Sequence, residues 1–154
     1  MLRKGRAWTI AALVPDANGV HAVLQVAAGD AIYGVIVGFE PDNSNLSLLH
    51  RTASTLRTAL VCVDPTVVYQ VATNATGIAK EDIGLNGDIE VGSGSTVTGL
   101  SGMELDVDGT PALGTGTAQL RILGLSQITG NELGAYAVVD VLINEHELVI
   151  ATGV

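Results

Sequence analysis

The residues of this chain that could do chemistry are few, and the densest group of metal-binding types lies near its C-terminus. Glu145, His146 and Glu147 are consecutive, and imidazole and carboxylate groups are common metal ligands. Side chains alternate along a strand, so the two glutamates would share one face while His146 points to the other. The remaining histidines, His21 and His50, are distant in sequence. We therefore expect a solvated strand end here, and no metal site.

A second group of oxygen ligands, Asp106-Val107-Asp108-Gly109, begins like a calcium-binding loop. That loop requires a further Asp or Asn before its glycine and a Glu at its twelfth position. Thr110 and Pro111 follow instead. Asp and Gly are equally typical of a tight turn. We interpret the segment as a turn, and we expect the protein to carry neither a metal nor a cofactor.

The glycine-rich segments and the candidate nucleophiles lack the neighbours that catalysis requires. Gly92–Thr96 and Gly114–Thr117 contain no Gly-Lys-Ser/Thr of a phosphate-binding loop. Ser101 does not lie in a Gly-x-Ser-x-Gly elbow. Cys62 is the single cysteine and has apolar neighbours, which favours a small buried hydrophobe over a reactive thiol. We expect that the protein is not an enzyme.

The charge of the chain is acidic and unevenly distributed. The net charge is −9, with 7 basic residues against 16 acidic ones, and three of the basic residues (Arg3, Lys4 and Arg6) lie at the N-terminus. An acidic body is repelled by phosphate backbones, so we expect no nucleic-acid partner.

No apolar stretch approaches the ~18 residues of a membrane span. The apolar run 8–14 is too short for a secretory signal, so we expect neither membrane association nor secretion.

The composition predicts one folded domain with an aliphatic core. Hydrophobic residues make up 47% of the 154 residues, aromatic residues 3% and charged residues 15%, where about 25% charged is usual. A surface so poor in charge is typical of proteins that bury apolar area against a partner. The length favours a single β domain over residues 1–154. We divide it into a basic arm (1–7), a body (8–148) and a tail (149–154).

Short alternating segments separated by glycine-rich turns predict an all-β fold, a small antiparallel β-barrel or sandwich. Asn18-Gly19 favours a hairpin turn, and Gly34 and Gly38 favour a bulge or a close backbone approach. Residues 78–83 predict one helical turn; residues 46–58 fit a helix or a strand, and we expect the extended form. The predicted strands are 8–14, 20–26, 32–39, 60–63, 66–73, 89–91, 96–98, 103–107, 117–125 and 135–147, the last being the longest and, with two apolar faces, central in its sheet.

Several segments resemble small head-associated structural proteins of tailed bacteriophages. They are VIVGFEPDNSNLSLLHRTASTLRTALVCVDPTVVYQV (35–71), IGLNGDI (83–89), TGLSGMELD (98–106), QLRILGL (119–125) and VVDVLINEHEL (138–148). Such proteins are encoded near the major capsid protein and are interpreted as decoration, or cement, proteins. The resemblance covers residues 34–148.

The resemblance implies a virion structural protein that binds the outer surface of the capsid and stabilises the shell. Its partners would be the major capsid protein and further copies of itself, as a homotrimer or a dimer according to the local symmetry of the shell. It would be made in the host cytoplasm and reside on the capsid exterior. Alternatives are a receptor- or carbohydrate-binding β module on the virion, and a head–tail connector or tail component. The candidate residues for contact with the capsid or another protomer are Arg3, Lys4, Arg6, Trp8, Arg51 and Arg57.

Overall fold

The computed structural model contains two four-stranded sheets and a separate two-stranded hairpin. It describes residues 10–15, 17, 19, 21–48, 50, 55–99, 101–109 and 112–149. The strands are β1 (Ile10–Pro15), β2 (His21–Gln25), β3 (Gly34–Phe39), β4 (Ala59–Cys62), β5 (Tyr69–Ala72), β6 (Asn86–Gly87), β7 (Ile89–Gly92), β8 (Gly102–Leu105), β9 (Leu120–Leu125) and β10 (Val138–Ile143). A short 3-10 helix, Lys80–Asp82, forms the predicted helical turn.

The first sheet has the strand order β2-β1-β3-β4, and its strands are antiparallel. The predicted hairpin between β1 and β2 is confirmed, and Gly19 in its turn has the positive φ of 75° that glycine tolerates. A Cβ at Gly34 would collide with the carbonyl oxygen of Cys62, and the register of β3 on β4 shifts between Ile36 and Gly38. The close approach and the bulge predicted from the two glycines are therefore both present.

The second sheet has the strand order β5-β10-β9-β6 and is antiparallel. The central position predicted for β10 is confirmed, but its predicted length is wrong, because the strand spans six residues rather than thirteen. Before it, Tyr136 has a φ of 56°, which no strand accommodates. After it, residues 144 and 145 form a bend in which the N–H groups of Asn144 and Glu145 both lie against the Gln119 carbonyl, at 2.8 and 3.4 Å, so the regular pairing ends.

The strands β7 and β8 were predicted and pair as a hairpin, but the additional strand predicted at 96–98 is wrong. These residues form a turn, in which the Gly99 N–H donates to the Ser95 carbonyl at 2.8 Å and the Thr98 N–H to the Ser95 hydroxyl at 3.2 Å. Such local bonds compete with a sheet ladder.

In the 46–58 connection, residues 46–48 lie in a turn and 55–58 have no regular structure, while 49 and 51–54 lie outside the described residues.

The core draws apolar side chains from both sheets and from the hairpin. Two isolated parallel bridges, Ile32↔His146 and Thr73↔Leu105, link otherwise separate sheets. The sheets do not close on one another, so the fold is all-β and fits a small sandwich; the barrel alternative is wrong. The core is aliphatic apart from one tyrosine and comprises Val26, Ile32, Val35, Tyr69, Ile78, Ile89, Leu105, Leu120, Ile122, Ala137, Val139, Val141 and Ile143.

Candidate interaction surface and acidic cluster

The first candidate site is the two-stranded ribbon formed by β1 and β2. β1 pairs with β3 only at Ile10 and Ala11, whereas it pairs with β2 from Ala11 to Pro15. Among the described strands, β1 therefore has one partner beyond Ala11, and its other edge presents backbone groups without a ladder. Such an edge can accept a strand from another chain, and a lone two-stranded ribbon gains stability from that pairing.

The side chains of the ribbon and the groove beside it are largely apolar. In β2, Leu24 is 58% exposed and Val23 is half-buried. An open groove of about 1570 Å³ lies between β2, the β3–β4 pair and the β7–β8 tip. Its apolar lining includes Val23, Ile36, Val61 and Val91. This arrangement can bury another apolar surface.

Arg57, one of the predicted contact residues, lines this groove but is engaged within the chain. Its guanidinium donates to the carbonyl oxygens of His50 at 2.7 Å and Glu40 at 2.6 Å. It also lies 5.4 Å from the centroid of the Phe39 ring, within range of a cation–π interaction. Arg57 therefore fastens the 40–58 connection to the end of β3. The other predicted contact residues, Arg3, Lys4, Arg6, Trp8 and Arg51, lie outside the described residues, so their role stays a prediction.

The second candidate site is a cluster of carboxylates around Asn74. The Asn74 Nδ2 lies 2.7 Å from Asp108 Oδ1, 3.1 Å from Asp106 Oδ1 and 3.4 Å from Glu90 Oε2. Hydrogen bonds from the Thr76 hydroxyl and from Asn74 lower the pKa of Asp108. The sequence singled out Asp106 and Asp108 but missed Asn74 and Glu90. No local spacing connects them; the end of β5 and the strand β7 bring them together.

No three side chains of the His, Cys, Asp and Glu types within the described ranges are grouped so that they could hold a metal ion.

At Glu145–Glu147, the predicted solvated strand end is wrong, because His146 is only 1% exposed. Its Nδ1 accepts the Leu148 N–H at 3.2 Å. Burial lowers the pKa of His146, although Glu147, the Val63 carbonyl and Asp64 favour the charged form. Burial raises the pKa of Glu145. His146 is thus a buried residue at the junction between the two four-stranded sheets, where its backbone pairs with Ile32.

The geometry defines an all-β protein with an open-edged ribbon and a cluster of carboxylates. No family model, no curated protein and no solved structure matches the chain. Within the described ranges, no helix has the length and apolar character to cross a membrane.

Proposed function

We propose that this chain is a virion structural protein that binds the outer surface of a tailed-phage capsid as a homo-oligomer and stabilises the shell. The observation that carries the proposal is the ribbon of β1 and β2, which extends along one open edge and exposes Leu24 of β2 to solvent. It supports a role in which the chain completes its sheets against a neighbour. The segments that resemble phage head-associated proteins supply the identity of that neighbour.

The exposed apolar residues of the first sheet support the same role. Leu24 in β2, Val37 in β3 and Leu60 in β4 are large aliphatic side chains left in solvent. Burying such surface contributes roughly 25 cal/mol for each Å² removed from water. Scattered exposed hydrophobes are common, but here three strands of one sheet carry them, and Leu24 also lines the apolar groove. A second protomer or a capsid subunit seated in the groove would cover Leu24.

The charge of the protein favours contacts of this kind over ion pairs. The described residues include only Arg57, Lys80 and Arg121 as basic residues, and Arg57 is bound internally. An acidic body would be repelled by an acidic shell, so apolar burial and backbone pairing must supply the affinity. The repeated binding positions of a shell favour a symmetric oligomer, a homotrimer or a dimer.

A cryo-electron microscopy reconstruction of virions that carry this chain tests the proposal. We expect density for the two-sheet fold at every equivalent position on the outside of the shell. Density confined to one ring at a portal vertex would refute the proposal in favour of a connector. Virions that lack the chain should lose their DNA at a lower temperature than complete virions, and equal heat stability would refute the stabilising role.

A further inference from the structure

β2 is an edge strand without the features that usually protect an edge. It lies at one end of the first sheet, and its residues 21–25 form no backbone hydrogen bonds with described residues outside their ladder with β1. Natural edges are protected by charged side chains, proline, bulges or very short strands. β2 is five residues long, its register on β1 is unbroken, and its sequence His-Ala-Val-Leu-Gln contains no Asp, Glu, Lys, Arg or Pro. Another strand can therefore extend the sheet at β2.

The other outer strands differ from β2 in charge, length or regularity. Glu90 of β7 lies directly opposite Glu104 of β8, which places two carboxylates on that hairpin. β6 has only two residues, and Asn86 exchanges both of its backbone hydrogen bonds with Gly114, at 2.7 and 3.0 Å. β8 continues the end of β5 through an isolated bridge. β4 is uncharged, but a register shift interrupts its pairing with β3, and such a bulge twists a strand pair.

The opposite edge of the ribbon is less suited to pairing. β1 does not pair with β3 from Ala12 to Pro15, and proline cannot donate to a ladder. All five residues of β2 carry a backbone N–H. A two-stranded ribbon is marginally stable alone and gains stability from further strands, so β2 is the edge at which a partner strand stabilises the ribbon most.

The distribution of charge along the chain favours a second copy as the partner of β2. Residues 17–29 contain no Asp, Glu, Lys or Arg, whereas residues 40–154 contain 14 of the 16 acidic residues. Two copies repel each other where their acidic parts meet, but two β2 strands can approach without opposing charges. An antiparallel pair of identical strands is also self-complementary around a two-fold axis, the commonest symmetry of soluble oligomers.

We propose that two copies of this chain pair antiparallel through β2, with the two-fold axis at Val23. The inference rests on the homo-oligomer of the proposed function, and it names the strand and the symmetry of the contact. This register gives every residue of β2 a partner: Val23 lies opposite Val23 of the second copy, Ala22 opposite Leu24, and His21 opposite Gln25. The two central kinds of pair are apolar, and such cross-strand pairs stabilise a sheet.

Side chains beside the paired strands add to the contact. A stable interface buries about 1,200–2,000 Å² in total, which is more than five strand pairs supply. Leu24 is 58% exposed, and the pairing would cover it with Ala22 of the second copy. All five residues of β2 also line the groove of about 1570 Å³, so the groove would receive side chains of the second copy.

Single cysteines in a Cys62→Ser background test the register by disulfide cross-linking. Val23→Cys should cross-link with itself under mild oxidation, because directly opposed Cα atoms lie about 4.5–5.5 Å apart, within the range that a disulfide spans. Ala22→Cys and Leu24→Cys should cross-link when mixed, and each at least tenfold less alone, because their own copies lie on the diagonal. Leu133→Cys is the matched control, since Leu133 is similarly exposed on the connection between β9 and β10, and it should not cross-link.

Measurements on the unmodified protein decide the question if the variants fail to fold. Sedimentation equilibrium should show the mass rising toward twice that of one chain with concentration, and amide hydrogen exchange in β2 should slow in parallel while exchange in β7 does not. A protein that stays monomeric, or that forms trimers without dimers, overturns the proposal. A self-cross-link at Leu60→Cys of β4 in place of Val23→Cys also overturns it. A protein that dimerises through β2 and fails to bind capsids supports this contact and refutes the proposed function.

Discussion

Gln119 connects three segments that no strand ladder joins. Its Nε2 donates to the carbonyl oxygens of Ala27 at 2.8 Å and Asp30 at 2.6 Å, and its Oε1 accepts the Ile89 N–H at 3.0 Å. Its backbone N–H donates to Asp88 Oδ1 at 3.0 Å. Gln119 is fully buried, and a buried polar group of this kind stabilises a fold only while its partners are in place.

Replacing Gln119 with leucine should lower the free energy of unfolding by about 2–4 kcal/mol, because the buried Ile89 N–H and two carbonyl oxygens lose their partner at roughly 1–3 kcal/mol each before relaxation. Urea unfolding followed by circular dichroism measures the change. Gln127→Leu, at an exposed position, should change the free energy of unfolding by less than about 0.5 kcal/mol. Equal stability of the two variants would show that Gln119 does not hold the junction.

We expect His146 to make the stability of the protein depend on pH. Burial keeps its pKa below the ordinary value of about 6.5, so the unfolded chain binds a proton more readily than the folded chain does. Stability is therefore full above that ordinary value and falls as the pH drops from there toward the lowered pKa of the folded state. Protonation would also cost the bond that Nδ1 accepts from Leu148.

We expect the urea midpoint to fall between pH 7.5 and pH 5.5 in the unmodified protein and to fall less in His146→Gln. Glu145 works in the opposite direction, since its raised pKa means that protonation stabilises the fold, and it is retained in both proteins. His21→Gln, at an exposed position of β2, is the control and should keep the original slope. A His146→Gln variant with an unchanged slope would contradict the assignment.

At the scale of elements, the ribbon of β1 and β2 carries the prediction that bears on assembly. Leu24→Lys should leave the free energy of unfolding within about 0.5 kcal/mol of the original, because the side chain is mostly in solvent. It should weaken self-association or shell binding, because a buried lysine charge is costly. Sedimentation velocity measures self-association, and co-sedimentation with capsids measures shell binding.

Leu133→Lys is the matched control for the ribbon, since Leu133 is a similarly exposed leucine on the connection between β9 and β10. If both variants associate as the unmodified protein does, the ribbon is not the contact. If both lose association equally, apolar surface in general is responsible and the proposed specificity of the ribbon is lost.

Local chemistry made most of the elements predictable. The β1–β2 hairpin follows from Asn18-Gly19, and the bulge near Gly38 follows from glycine within a strand. The strand predicted at 96–98 was wrong because a side-chain hydrogen bond stabilises a turn there. The Ser95 hydroxyl accepts the Thr98 N–H, and this bond replaces the pairing that a strand would make. β-Propensity reflects how well a side chain fits a pleated, half-buried surface. It therefore predicts a strand wrongly where a loop satisfies its own backbone hydrogen bonds.

At the scale of the whole molecule, the order of strands and the composition of the acidic cluster could not be predicted. β5 pairs with β10, and β6 pairs with β9, and no local signal specifies such distant partners. The meeting of Asn74 with Asp108 depends on those pairings, so the sequence showed only half of the cluster. The burial of His146 was missed for the same reason, because its backbone pairs with Ile32, more than one hundred positions away in the chain.

The acidic charge of the molecule makes the basic arm (1–7) the place to test long-range attraction. Deleting residues 1–7 removes three of the 7 basic residues, and we expect lower occupancy on capsids and a shallower loss of binding as salt is raised, because less charge attraction remains to be screened. Replacing Arg3, Lys4 and Arg6 with glutamine at full length separates charge from contact area. Full occupancy of the deleted protein would refute a role for the arm.

The strand order also fixes when each part of the chain can fold during synthesis. The first sheet needs only residues 10–62, so it can form as soon as that segment leaves the ribosome. β5 and β6 must wait until residues 120–143 are made, because their partners are β10 and β9. Until then β7 and β8 can pair only with each other, and the apolar side chains of β5 remain in solvent. Chains released before residues 120–143 are made would carry unpaired strands, which are prone to aggregate.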